Sequence, residues 1–185
     1  MTPAGPATPA EVAGLVRGLI RDVPDFPLPG ILFRDIAPVL ADPVAFGGLA
    51  RVIADRHAGA VDLVAGVEAR GFLIAGAVAV AGGIGVVPVR KAGKLPAPTV
   101  SASYALEYGE ATLELPASSF GSASRRVLVV DDVLATGGTL LAALDLVRQA
   151  GGEVAGVSVL IDLAGLGGRD RLVEQGYDVH AVVTL

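Results

Sequence analysis

The feature that most constrains this chain is a rhythm of short apolar runs separated by helix-length segments. VDLVAG (61–66), Ile84 to Val89, Arg126 to Val130 and Val154 to Ile161 read as mostly apolar strands without the polar alternation of a half-exposed sheet, and Tyr177 to Val183 reads as a further strand. Between them, Gly71 to Ala81 has helical length, as does Thr139 to Ala150. The latter places Leu140, Leu144 and Val147 on one face and stops at Gly151-Gly152. A short helix is expected between the last two strands. Strands that are apolar throughout must be buried on both faces, and the strand–helix–strand order supplies the crossovers that parallel pairing needs. The predicted fold is α/β, a central and mostly parallel sheet flanked by helices.

Two regions depart from the rhythm. Residues 1–10, MTPAGPATPA, read as a frayed tail without the basic start and apolar run of a signal peptide. Val12, Leu15, Val16, Leu19 and Ile20 then recur at helical spacing. Residues 24–40 contain Pro24, Pro27, Pro29 and Pro38, which predicts an ordered but irregular segment before a helix from Pro43 to near His57. Residues 91–125 form a polar insertion rich in Ser, Pro and Gly. It is read as an antiparallel ribbon, Ser103–Tyr108 with Ala111–Leu115 across Gly109. Loops this long inside a compact domain are usually functional. With no repeat and no linker, residues 1–185 are expected to be one domain.

Composition removes several function classes. Gly71 to Val89 is uncharged and approaches membrane-span length, but its five glycines and Pro88 indicate a buried helix, a turn and a strand instead. Aromatics are 4% of the chain and Trp is absent, which argues against stacking platforms for nucleic-acid bases. A net charge of -5 offers nucleic acid or an anionic membrane no general attraction, so any polyanion must be held by a local cluster. The absence of cysteine excludes disulfides, thiolate metal sites and cysteine nucleophiles, and it suits a cytoplasmic protein. His57 and His180 stand alone, in no ligand or triad spacing.

The chemistry concentrates in VVDDVLATGGT (129–139). An apolar strand runs into Asp131-Asp132 and then, through Ala135, Thr136, Gly137, Gly138 and Thr139, into a helix. Glycines let peptide N–H groups turn toward a phosphate, the helix N-terminus favours its charge, and the threonines add hydroxyl donors. Two carboxylates beside a phosphate need a partner that donates hydrogen bonds, and a ribose diol is one. A bare acidic pair followed by two glycines is equally well explained by turn chemistry. The full string resembles the phosphoribosyl pyrophosphate signature of type I phosphoribosyltransferases.

A second cluster is cationic. The chain has two lysines, Lys91 and Lys94, both within RKAGKLP, with Arg90 beside them and Arg70 in GVEARGF after an earlier strand. Gathering both lysines in one loop of an acidic protein suits the binding of a pyrophosphate. In order along the chain, FPxPGIxFRDI, GxEARGF, VPVRKxGKLP, YxLEYG and VVDDVLATGGT resemble the adenine phosphoribosyltransferase family, from Phe26 to Leu172. The connection LPASSFGSASRR (115–126) departs from the usual pattern.

The resemblance implies a type I phosphoribosyltransferase fold with an N-terminal hood (24–40) and an inserted flexible ribbon lid (91–125). It implies conversion of adenine and phosphoribosyl pyrophosphate to AMP and pyrophosphate, with Mg2+ held mainly through the substrate and no direct protein ligand. It also implies a cytoplasmic homodimer. Arg70, Lys91 and Lys94 would hold the pyrophosphate, with Glu68, Ala69 and Arg70 forming a tight, strained turn whose peptide N–H groups face it. Leu32, Phe33 and Arg34 would form the hood over the base, with Val133 on its opposite face. Glu107, on a lid with Tyr104 and Tyr108, would handle the proton at purine N7. Two other readings remain open from the residues: transfer to another base such as xanthine, and a ligand-sensing regulator that kept the fold.

Overall fold

The computed structural model describes residues 8–105, 110–121 and 124–185. The first helix, α1 (Pro9–Leu19), begins inside the expected tail. Thr8 and Glu11 form a reciprocal capping box there, and Pro9 occupies the first turn, where its missing N–H costs nothing. The proline-rich segment, expected to be ordered but irregular, is more regular than that. Strands β1 (Arg21–Pro24) and β2 (Leu32–Asp35) pair antiparallel, and a five-residue helix, α2 (Ala37–Ala41), follows. Arg21 lies opposite Asp35 and Asp22 opposite Arg34, and both pairs are salt-bridged. Opposite charges directly across two strands stabilise a ribbon that has little apolar area of its own.

Helix α3 (Pro43–Arg56) is capped by Asp42, which accepts from the N–H groups of Val44 and Ala45 at 2.9 and 2.8 Å. The alternating core follows: β3 (Leu63–Val67), α4 (Gly71–Gly82), β4 (Gly85–Lys91), the ribbon β5 (Thr99–Ala105) and β6 (Glu110–Pro116), β7 (Arg126–Leu134), α5 (Gly138–Gln149), β8 (Glu153–Asp162), a 3-10 turn (Ala164–Leu166), α6 (Gly168–Glu174) and β9 (Val179–Thr184). The seven-stranded sheet runs β5-β6-β4-β3-β7-β8-β9. Its five strands from β4 to β9 are parallel, as the apolar runs predict.

Side chains alternate between two cores. Val127, Val129, Val157 and Val159 face α5, while Leu128, Val130, Leu160 and Val182 face α1, α3 and α4. Two expected boundaries shift. The ribbon begins at Thr99 and pairs with the sheet itself, Arg90 opposite Glu114 and Lys91 opposite Leu113, so both cations lie at the end of a strand. Strand β7 does not stop at Val130. Pairing with β8 carries it through both aspartates to Leu134, because the ladder continues wherever the neighbouring strand does.

Candidate active site

Strands β3 and β7 are neighbours, yet the chain leaves them in opposite directions, toward β4 and toward β8. Loops that part in this way leave a crevice beyond the carboxyl ends of the strands, where ligands of open α/β sheets bind. The loop after β3 is Glu68-Ala69-Arg70, whose Glu68–Ala69 peptide is cis. The end of β7 carries Asp131 and Asp132, and Ala135–Gly137 link it to α5.

Both aspartates are buried, at 7% and 8% exposure. Asp131 Oδ1 accepts from the N–H of Asp132 at 2.8 Å. Burial, reinforced by the charge of Asp132, pushes the Asp131 carboxyl well above the usual carboxylate range. Arg70 lies 2.5 Å from Asp132 Oδ2 in ionic contact, but that oxygen accepts no hydrogen bond among the described residues. The pair is therefore short of donors, which a ligand rich in hydroxyls would supply. Gly71 makes room for this arrangement. A Cβ there would stand 2.8 Å from Asp131 Oδ1 and 3.1 Å from the carbonyl of Val130.

Arg70 also reaches the hood. Its guanidinium lies over the Phe33 ring, 5.0 Å from the centroid, and donates to the Arg34 carbonyl at 3.5 Å. Phe33 meets Phe26 edge to face at 5.1 Å. The guanidinium of Arg34 is engaged by Asp22 on the neighbouring strand. Leu32 is exposed on β2, and Val133 is half-buried on β7.

The second cationic group surrounds Glu68, whose side chain is only 7% exposed. Lys94 binds Oε1. Arg90 Nε reaches Oε2 at 3.3 Å, and the Lys91 N–H donates to the same oxygen at 3.0 Å. The Lys94 bond is the main cause of a Glu68 carboxyl held below its ordinary value. The Lys91 side chain is exposed.

In the loop, Gly137 takes φ +86 and stands at the N-terminus of α5. Such a backbone is open to glycine at little cost. Thr136 is exposed, and Thr139 donates to the Tyr104 hydroxyl at 3.2 Å, tying the ribbon to the start of α5. Glu107 and Tyr108 lie outside the described residues.

The structure thus brings Arg70, Asp131, Asp132, Phe33 and Arg34 together, with Glu68, Lys91 and Lys94 alongside. The clamping of Lys94 and Arg90 by Glu68 was not legible in the motif, nor was the contact of Gly71 with Asp131. Both involve partners distant in sequence. His57 and His180, isolated in sequence, converge on buried Ser158, at 2.9 and 3.5 Å, on the face covered by α1, α3 and α4.

A parallel sheet with an acidic pair at the switch point and a glycine-turned loop beside it fits the class of phosphoribosyltransferases. The family model of the phosphoribosyl transferase domain matches residues 39–180. The adenine phosphoribosyltransferase of Salinispora tropica is 56% identical over 176 residues, covering 95% of this chain and 92% of that protein. The crystal structure of adenine phosphoribosyltransferase from Thermoanaerobacter pseudethanolicus superposes with a TM-score of 0.86 at 43% identity, covering 94% of this chain and 99% of the other. That of the Saccharomyces cerevisiae enzyme, complexed with D-2,5-dideoxy-2,5-imino-altritol 1,6-bisphosphate and adenine, gives 0.87 at 35% identity over 94% and 99%. The chain belongs to the adenine phosphoribosyltransferase family.

Proposed function

We propose that the crevice between β3 and β7 binds phosphoribosyl pyrophosphate and adenine, and that the chain joins them to give AMP and pyrophosphate. One observation carries this reading: Arg70 touches Asp132 and Phe33 at once, linking the acidic pair to the aromatic hood. A cation between a diol site and a base site is where the leaving pyrophosphate needs neutralising.

In this reading Ala135, Thr136, Gly137, Gly138 and Thr139 cradle the 5′-phosphate, and Asp131 and Asp132 accept from the ribose hydroxyls. Arg70, Lys91 and Lys94, with the Glu68–Ala69 turn, take the pyrophosphate. Leu32, Phe33 and Arg34 cover one side of the purine and Val133 lies on the other. Glu107 exchanges the N7 proton while N9 attacks the anomeric carbon, and Tyr104 and Tyr108 belong to the lid that excludes water. Bond breaking runs ahead of bond making, so charge develops on the departing pyrophosphate and on an oxocarbenium-like ribosyl carbon. Fixed cations aimed at the first of these lower the barrier without reorganising.

Mg2+ fits the same site through its substrate. Among the described residues no group of three or more His, Cys, Asp or Glu is placed to hold a metal. Mg2+ keeps most of its water and needs only one or two carboxylates beside phosphate oxygens. Asp132 Oδ2, which meets Arg70 but accepts no hydrogen bond among the described residues, is such a carboxylate oxygen and would take a ribose hydroxyl or a water of the ion. When bound, the ion supplies further neutralisation of the leaving group.

The chain acts as a homodimer in the cytoplasm, without nucleic acid or membrane. Support for the dimer comes from α4, which carries no charge and leaves Leu73 56% and Val80 85% exposed beside Phe46 and Phe72 of a shallow apolar groove. Contiguous apolar surface of this kind marks an interaction site. No helix among the described residues is long and apolar enough to cross a membrane.

The test of the site is Glu107→Gln. General acid–base work is worth roughly 10²–10⁴-fold, so kcat should fall in that range while the affinity for phosphoribosyl pyrophosphate changes little. An unchanged kcat removes Glu107 from the mechanism.

A further inference from the structure

We infer that the first turn of α6 is the back wall of the 5′-phosphate loop, and that Arg171 is a positioning residue for the phosphoribosyl group. The inference rests on residues 135–139 being that loop. Nothing in GLGGRDRL (165–172) is part of the phosphoribosyl signature, yet the fold places this segment directly behind it.

Two contacts make the wall. Arg171 donates from Nη1 to the Thr136 carbonyl at 2.7 Å. Because a trans peptide is planar, the N–H of Gly137 then points the opposite way, away from the Arg171 guanidinium. A carbonyl swinging free in this loop would offer a lone pair to the phosphate and repel it. Arg171 fixes that carbonyl outward and leaves a positive charge one peptide behind the anion site. The second contact is steric. A Cβ on Gly168 would lie 2.1 Å from the Ala135 carbonyl oxygen and 2.9 Å from Gly137 N, so α6 and the loop touch backbone to backbone.

The wall is itself anchored. Arg169 Nε binds Asp162 Oδ2 at 2.6 Å, and its Nη1 donates to the Val179 carbonyl at 2.8 Å. The N–H of Leu163 donates to the Leu134 carbonyl at 2.9 Å. Arg171 takes no part in that anchoring. Its side chain is at the surface, where an arginine that met nothing would be dispensable.

The test compares wild type, Arg171→Ala, Arg171→Lys and Thr139→Ala as full-length proteins. Readouts are the AMP dissociation constant by calorimetry, the two KM values, kcat and Tm. Losing a charge-assisted hydrogen bond that orders the loop should weaken AMP about tenfold in Arg171→Ala. KM for phosphoribosyl pyrophosphate should rise similarly, with KM for adenine, kcat and Tm little changed. Arg171→Lys should recover most of the loss, since an ammonium can also donate to one carbonyl. Equal losses for both substrates, or a fall in Tm that tracks them, would reduce Arg171 to a structural residue and overturn the proposal. If Thr139→Ala weakens AMP and Arg171→Ala does not, the loop keeps its phosphate and the wall role fails. If neither variant weakens AMP, the loop is not the phosphate site and both readings fall.

Discussion

Replacing Glu68 with Gln should make the protein bind pyrophosphate more tightly, although Glu68 belongs to the proposed pyrophosphate site. Its buried carboxylate occupies Lys94, one of the cations proposed to take the pyrophosphate, and Arg90 beside it. At about 4 Å and an effective dielectric constant near 20, each such pair is worth about 4 kcal/mol before screening. Lys94 is 47% and Arg90 33% exposed, so solvent reduces this to about 1 kcal/mol per pair. Relieving a competition of about 1–2 kcal/mol corresponds to roughly five- to thirtyfold tighter binding. Gln keeps an acceptor for the Lys91 N–H, so the turn itself should hold. Calorimetric titration of pyrophosphate with Mg2+ measures the effect, and tighter product should also slow turnover wherever release limits kcat. Equal or weaker affinity would refute the idea that Glu68 holds these cations in reserve. The sign of the pH dependence is fixed as well. A carboxyl whose folded pKa is depressed stabilises the fold above its unfolded value and loses that contribution as pH falls through the folded one. The Tm values of wild type and variant should therefore converge in acid.

Three further outcomes are expected. Gly71→Ala puts a methyl 2.8 Å from Asp131 Oδ1, so kcat/KM for phosphoribosyl pyrophosphate should fall at least about tenfold, the cost of displacing one charged hydrogen-bonding group; an unaltered value would show that the crowding is relieved elsewhere. Burial lowers the pKa of His57 and takes that of His180 to about 4. Both folded values lie below the unfolded one near 6.5, so stability should be full above that pH and decline from there toward pH 4, and His180→Asn should flatten the Tm profile in that window. Val80→Asp places a charge on the exposed apolar face of α4 and should shift sedimentation toward the monomer; an unchanged dimer would move the interface elsewhere.

How much of this was legible in the sequence depended on the range of the interactions involved. The parallel core was readable because burial on both faces writes itself as uninterrupted apolar runs such as VLVV before Asp131. The end of β7 was not, since two charges look like a terminus, whereas the pairing of Leu134 with Asp162 is visible only across strands. The hood was read as irregular from its prolines. Its hairpin is held by Arg21–Asp35 and Asp22–Arg34, pairs 14 and 12 residues apart that no local pattern announces. The site divides in the same way. Asp131, Asp132, Thr136 and Gly137 form one contiguous string, and Arg70 with the two lysines stood out because cations are scarce. The roles of Glu68 as their counterion, of Gly71 as a gap for Asp131 and of Arg171 behind Thr136 come from contacts between segments that only the folded chain brings together.

The most direct test of the account is product analysis from one reaction containing phosphoribosyl pyrophosphate, Mg2+ and equal amounts of adenine, hypoxanthine, guanine and xanthine. A site that hydrogen-bonds one purine edge leaves its groups unpaired against another, which discriminates strongly. The account predicts AMP as the dominant nucleotide, with one pyrophosphate released per AMP. Comparable amounts of the other nucleotides, or none of any, would contradict it.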